Sequence, residues 1–129
     1  MTVSPPILLL IDDDQDMRAS LSRLLSLRFT VLSATSAEEA LRVLREPASV
    51  DLILSDIMMP GMGAAGLLPQ LPASLRARTV LMTGSDDHVV TRKVIQDAQM
   101  PVVHKPFRLT DLLNTLLSLL PAPAAPAPA

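Results

Sequence analysis

An α/β domain with a parallel five-stranded sheet, doubly wound by helices on both faces, is what this sequence predicts. Short unbroken apolar runs alternate five times with segments of helical spacing. Strands joined through helices pair in parallel, and a parallel sheet is covered on both sides. The composition agrees: 49% of the 129 residues are apolar and 19% are charged, a globular balance rather than a disordered one.

The first run, ILLLI at 7–11, reads as a strand buried on both faces. Residues 16–27 then have helical spacing, with Met17, Leu21, Leu24 and Leu25 on one face. A second strand is expected at 29–32. Ser36 to Glu39 form a capping box, with Ser36 at the N-cap and Glu39 three residues on. The helix it opens, 37–45, buries Ala37, Ala40, Leu41 and Leu44, and Pro47 follows its end. LILS at 52–55 is a third strand. The loop MMPGMG at 58–63 leads to a short helix over 64–71, which Pro69 should shorten or kink. TVLMT at 79–83 is a fourth strand, 88–98 a fourth helix, VVH at 102–104 a fifth strand and 109–120 a fifth helix.

The two ends punctuate this pattern. Residues 1–6 form an N-terminal extension closing on two prolines, which resist helix and ladder pairing. Residues 121–129, PAPAAPAPA, favour extended polyproline-like conformations and read as a semi-rigid tail or linker. One domain over 7–120 remains, large enough to bury roughly two-thirds of its unfolded surface.

Composition excludes several functions. Lys plus Arg is 11 and Asp plus Glu is 13, so the net charge is −2 and there is no general basic footprint for nucleic acid. Without cysteine there are no disulfides, thiol catalysis or thiolate metal sites. Two histidines are too few for a His-rich metal site, and two Phe with no Trp or Tyr offer no stacking platform for single strands. The run at 7–11 is too short to span a membrane and lacks the basic flank of a signal peptide. A soluble, cytoplasmic domain is expected.

In doubly wound sheets, ligands bind beyond the carboxyl ends of the strands. Strand one ends in Asp12-Asp13-Asp14, strand three in Asp56, strand four in Thr83-Gly84-Ser85 and strand five in His104-Lys105-Pro106-Phe107. The sheet would bring these to one edge. Clustered carboxylates repel unless a cation lies among them, and hard oxygen ligands suit Mg2+. Lys105 adds a positive charge, so the edge suits a divalent ion and then an anion such as a phosphoryl group.

LLLIDDD, DLILSDIMMPGM, VLMTGS and VHKPF, in this order and spacing, resemble the receiver domain of two-component response regulators, over nearly the whole of 7–120. The resemblance implies a flavodoxin-like fold with strand order 2-1-3-4-5. It implies that Asp56 is the phosphoacceptor, taking a phosphoryl group from a phosphohistidine of a histidine kinase or phosphotransfer protein. Asp13 would ligate Mg2+ directly, Asp12 would help through the metal or its water, and the Met58 backbone carbonyl and Asp56 would complete the protein ligands. Lys105 would pair with Asp56 and then with a phosphoryl oxygen. Thr83 would bond to the phosphoryl group and pull the following loop inward. Pro106 would set the backbone after Lys105 through a cis bond, as X-Pro permits. Such a domain promotes its own phosphorylation and turns over no external substrate.

The sequence departs from the family in places. Where receivers usually carry an aromatic residue three before the lysine, this chain has Val102, so it has no ring to swing at that position. The acid common before the third helix is replaced in Met62-Gly63-Ala64. Met58 and Ser85 hold positions that tune phosphoryl lifetime, and Met58 cannot hold an attacking water by hydrogen bond, so self-dephosphorylation should be slow. The segment MPVVHKPFRLTDLL is similar to receivers attached to hybrid sensor kinases.

Plainer roles stand beside these. The Asp triplet could cap the helix that follows it. It also mimics the start of a calcium loop, but Met17 and Arg23 stand where that loop needs Gly and Glu. Thr83 could be a strand-end hydroxyl without a role. His104 reads as structural or solvent-facing, His88 as a surface helix residue, and Met58, Met59, Met62 and Met82 as packing residues. Leucines at 109, 112, 113, 116, 117, 119 and 120 exceed one stripe of the last helix, so part of that surface would be an exposed apolar patch for a dimer or an output domain. Two other functions remain open: a pseudo-receiver that binds a partner without phosphorylation, and a haloacid-dehalogenase-type phosphatase built on Asp12 and Asp14. No output domain fits in the Pro/Ala tail, so the chain is either a stand-alone receiver or one domain of a longer protein.

Overall fold

The computed structural model describes residues 4–45, 50–84 and 89–120. Its order is β1 (Ile7–Ile11), α1 (Gln15–Leu25), β2 (Thr30–Ala34), α2 (Ala37–Leu44), β3 (Leu52–Asp56), α3 (Gly63–Leu67), α4 (Ala73–Arg76), β4 (Thr79–Thr83), α5 (Val89–Ala98), β5 (Val102–His104) and α6 (Leu109–Ser118). The five strands form one parallel sheet in the order β2-β1-β3-β4-β5.

Alternation along the strands divides the core. Leu9, Ile11, Ile53 and Leu81 face α2, α3 and α5. Leu8, Leu10, Leu52, Leu54, Val80 and Met82 face α1 and α6. The apolar runs are unbroken because both faces are covered: Leu8 to Ile11 are fully buried, each contributing about 1.5–3 kcal/mol by the transfer of its side chain from water.

Helix ends follow local chemistry. Asp14 caps α1, its Oδ1 accepting from the Met17 amide at 3.1 Å. Ser36 caps α2, its Oγ accepting from the Glu39 amide at 3.1 Å, while the Glu39 carboxylate accepts from the Thr35 hydroxyl at 2.8 Å. The capping box is therefore made through Thr35 on its return arm.

Several expectations need correction. Helix α1 ends at Leu25, and Leu24 is 42% exposed: the sheet covers only the Leu21–Leu25 edge, with Met17 half-buried. The helix expected over 64–71 stops at Leu67 and continues as one 3-10 turn over Leu68–Gln70, because Pro69 has no amide to donate. Helix α4, four residues after Pro72, was not expected. Met59 and Met82 pack in the core, but Met58 and Met62 are exposed. On α6, Leu112 and Leu116 are buried and Leu109, Leu113, Leu119 and Leu120 pack beside them, leaving Leu117 as its exposed large apolar residue. Ser85, His88, Pro47 and the Pro/Ala tail lie outside the described residues.

Candidate functional site

The carboxyl edge of the sheet gathers residues from three strands. β1 ends at Ile11, and the next residue, Asp12, has its amide donating to Ala34 O on β2 at 3.2 Å. Pairing to the neighbouring strand thus persists one residue past β1 and holds Asp12, fully buried, at the edge. Its Oδ1 accepts from the Asp14 amide at 3.0 Å, and the Arg18 guanidinium donates to its carbonyl at 2.9 Å. The triplet divides its labour: Asp14 is committed to the cap of α1, while Asp12 and the exposed Asp13 face the edge.

Asp56 is the last residue of β3, in register with Met82 on β4. One carboxylate oxygen from each of Asp12, Asp13 and Asp56 lies within 4.8 Å of the others. Lys105, just beyond β5, reaches into this group: its Nζ is 3.3 Å from Asp12 Oδ2 and 3.4 Å from Asp56 Oδ2. Its amide donates to Thr83 O at 2.8 Å, which ties the end of β5 to the end of β4, and the Lys105–Pro106 bond is cis.

The electrostatics follow from this packing. Burial raises the Asp56 carboxyl above its ordinary value; the Lys105 charge opposes this, the Asp12 charge adds to it, and the Met58 amide, hydrogen-bonded to the carboxylate, opposes it. Burial would lower the Lys105 ammonium, but the charges of Asp56 and Asp12 outweigh it and hold it above its ordinary value. Three carboxylates against one ammonium leave an excess of about two negative charges among oxygen donors, which is the donor set and charge that a divalent hard cation takes.

The remaining sequence-predicted residues take these places. Thr83 is buried at the end of β4. Val102 opens β5, half-buried against the α2–α3–α5 side of the core. Met58 follows Asp56 by two residues, with an exposed side chain. His104 is exposed. In the loop between β3 and α3, Gly61 has a φ of +83°, the left-handed region that glycine adopts without strain. Sequence reasoning missed Arg18, which clamps the Asp12 backbone from one turn into α1; a basic residue six positions after an acid carries no signal of its own.

The response regulator receiver domain model matches residues 8–117. The chain is 36% identical over 118 residues to the C4-dicarboxylate transport transcriptional regulatory protein DctD of Rhizobium meliloti, covering 85% of this chain and 24% of that protein. It is 30% identical over 119 residues to the sensor kinase CckA of Brucella abortus, covering 91% of this chain and 13% of that one. It thus spans a quarter or less of the length of these two curated relatives. Among solved structures it is similar to the signal receiver domain of an HD domain-containing protein from Pseudomonas fluorescens Pf-5, with a TM-score of 0.77 and 28% identity over 89% of this chain and 94% of that one. With five parallel strands in this order and acids and a lysine at its carboxyl edge, the chain belongs to the response regulator receiver domain family of two-component signalling.

Proposed function

We propose that residues 7–120 form a phosphoacceptor domain in which Asp56 takes a phosphoryl group from a phosphohistidine of a histidine kinase or phosphotransfer protein. The observation that carries this reading is Lys105 Nζ lying within 3.4 Å of Asp56 Oδ2, beside the carboxylates of Asp12 and Asp13. Mg2+ would be held by Asp12, Asp13, Asp56 and the Met58 backbone carbonyl, and when bound it neutralises charge on the transferring oxygens.

The chain's own groups do the rest. An Asp56 carboxylate oxygen attacks phosphorus as the phosphorus–nitrogen bond of the donor breaks and the imidazole leaves with a proton from solvent. Transfer of this kind is mostly positioning and charge stabilisation. Lys105 releases Asp56 and pairs with a phosphoryl oxygen. Asp12, buried and braced by the Asp14 amide, keeps the ammonium at the edge. Thr83 donates its hydroxyl to the phosphoryl group. The product adds roughly 1.5–2 negative charges, a local event that biases a two-state surface.

Val102 has no aromatic ring to swing, so the signal travels through the Thr83 backbone, which already holds the Lys105 amide. Ser85 and Met58 set the phosphoryl lifetime, and Pro106 sets the backbone after Lys105. The exposed Leu117 side of α6 serves a second copy or an output domain. No helix among the described residues is long and apolar enough to cross a membrane, and the reading places the domain in the cytoplasm, with no nucleic acid bound directly.

Incubation with phosphoramidate, which carries a phosphorus–nitrogen bond, followed by borohydride reduction and peptide mapping, tests this. Reduction of an aspartyl phosphate at residue 56 is expected. Modification at Asp12 or Asp13 instead would overturn the assignment, and binding of a partner with no modification anywhere would favour a pseudo-receiver.

A further inference from the structure

A cleft of about 470 Å3 opens on the α3–α5 side of the domain, among residues that take no part in the acidic edge. One wall is α5, where Val90, Val94 and Ala98 follow at four-residue intervals with Lys93 on the rim. The opposite wall is Leu68 and Pro69, where α3 gives way to its 3-10 turn. Pro69, an oddity in the sequence, thus acquires a place: it ends the helix that would otherwise run on beside α5. Arg76, on α4, borders the cleft as well.

Three features define what fits. The apolar stripe spans two turns of α5, about 12 Å at 1.5 Å per residue, an elongated shape. Val89 and Val90 are 72% and 44% exposed, unusual for β-branched apolar side chains on a short helix. Arg76 and Lys93 have no ion-pair or hydrogen-bond partner for their side chains among the described residues, and against them the cleft sets one carboxylate, Asp97. In a chain of net charge −2 whose acids crowd the other edge, this is an apolar groove with unpaired cations on its rim.

We propose that the cleft docks an amphipathic helical segment of a partner protein, with apolar side chains along one edge and carboxylates beside them. Helix-in-groove recognition uses anchors at i, i+3, i+4 and i+7, and the Val90–Val94–Ala98 stripe offers a trough of matching length. Arg76 and Lys93 supply charge complementarity, which selects acidic partners and speeds their encounter. Nothing in this depends on phosphorylation of Asp56.

The test is selection from a display library of helical peptides about four turns long, with leucine fixed at i, i+3, i+4 and i+7 and other positions random, on the full 129-residue chain. Recovered peptides are then titrated against wild type, Val90→Asp and Lys93→Glu, both changes at exposed side chains, with thermal melts as the folding control. The expected result is net acidic peptides whose binding weakens about tenfold or more in either variant and falls with added salt. Recovery of neutral or basic peptides, recovery of none, or binding undiminished in both folded variants would overturn the proposal. Decanoate, a small apolar carboxylate, is titrated in parallel; tighter binding of it than of every recovered peptide would assign the cleft to a small molecule and overturn the proposal too.

Discussion

Lys105 Nζ lies 3.4 Å from Asp56 Oδ2 and 3.3 Å from Asp12 Oδ2, so the same ammonium compensates the Asp56 carboxylate and the fully buried Asp12. A single cation between two acids makes the edge sensitive to its removal.

Lys105→Ala leaves Asp12 and Asp56 facing each other without compensation. In EDTA at neutral pH the variant is expected to lose about 1–3 kcal/mol of stability, the cost of stranding charged acceptors. The loss should shrink as acid protonates the carboxylates. Denaturant melts at neutral and acidic pH check this; equal stability of the two proteins at neutral pH would contradict it.

Asp56→Asn should behave in the opposite way. Burial holds the folded-state Asp56 carboxyl above its unfolded value, with Asp12 adding to the shift and Lys105 opposing it. The folded protein therefore keeps a proton that the unfolded chain has released, and stability falls as pH rises through that window. In EDTA the asparagine variant is expected to melt above wild type at neutral pH, with the gap closing as pH falls below the folded-state value. A variant melting below wild type at neutral pH would show that the Lys105 contact outweighs burial.

Thr91 is fully buried on α5 and its hydroxyl has no hydrogen-bond partner among the described residues. Thr91→Val keeps the shape and removes the orphan, so a gain of about 1 kcal/mol is expected, read as a rise in Tm of about 3–5 °C. A fall in Tm would mean that the hydroxyl is satisfied.

Met58 stands two residues past Asp56 with an exposed thioether side chain, only a weak hydrogen-bond acceptor for an attacking water. The phosphorylated domain should therefore lose its phosphoryl group slowly, and Met58→Asn, which supplies an amide beside Asp56, should speed the loss several-fold. Intact mass over time after removal of the donor measures both. A wild-type half-life of a few seconds would contradict the account.

The strand framework was legible because both faces of a parallel sheet are covered, which writes each strand as a continuous apolar run with its polar residue at the carboxyl end. Asp12, Asp56, Thr83 and Lys105 were found in that way. What the sequence hid is tertiary. The Asp triplet could not be divided into cap and site, because both tasks use the same side chain. Leu24 shares the helical face of Leu21 and Leu25, and only the width of the sheet decides that it stays exposed. The four residues of α4 are too few to show a period. Burial of Thr91 and the Pro69 cleft depend on how α3 and α5 approach each other, which neither segment encodes alone.

The central claim, that Asp56 is a magnesium-dependent phosphoacceptor, is tested most directly by intact mass after incubation with acetyl phosphate, with Mg2+ or with EDTA, on wild type and Asp56→Asn. The account predicts one added phosphoryl group on wild type with Mg2+ and none in the other three samples. An adduct that persists in Asp56→Asn, or that forms equally well in EDTA, would contradict it.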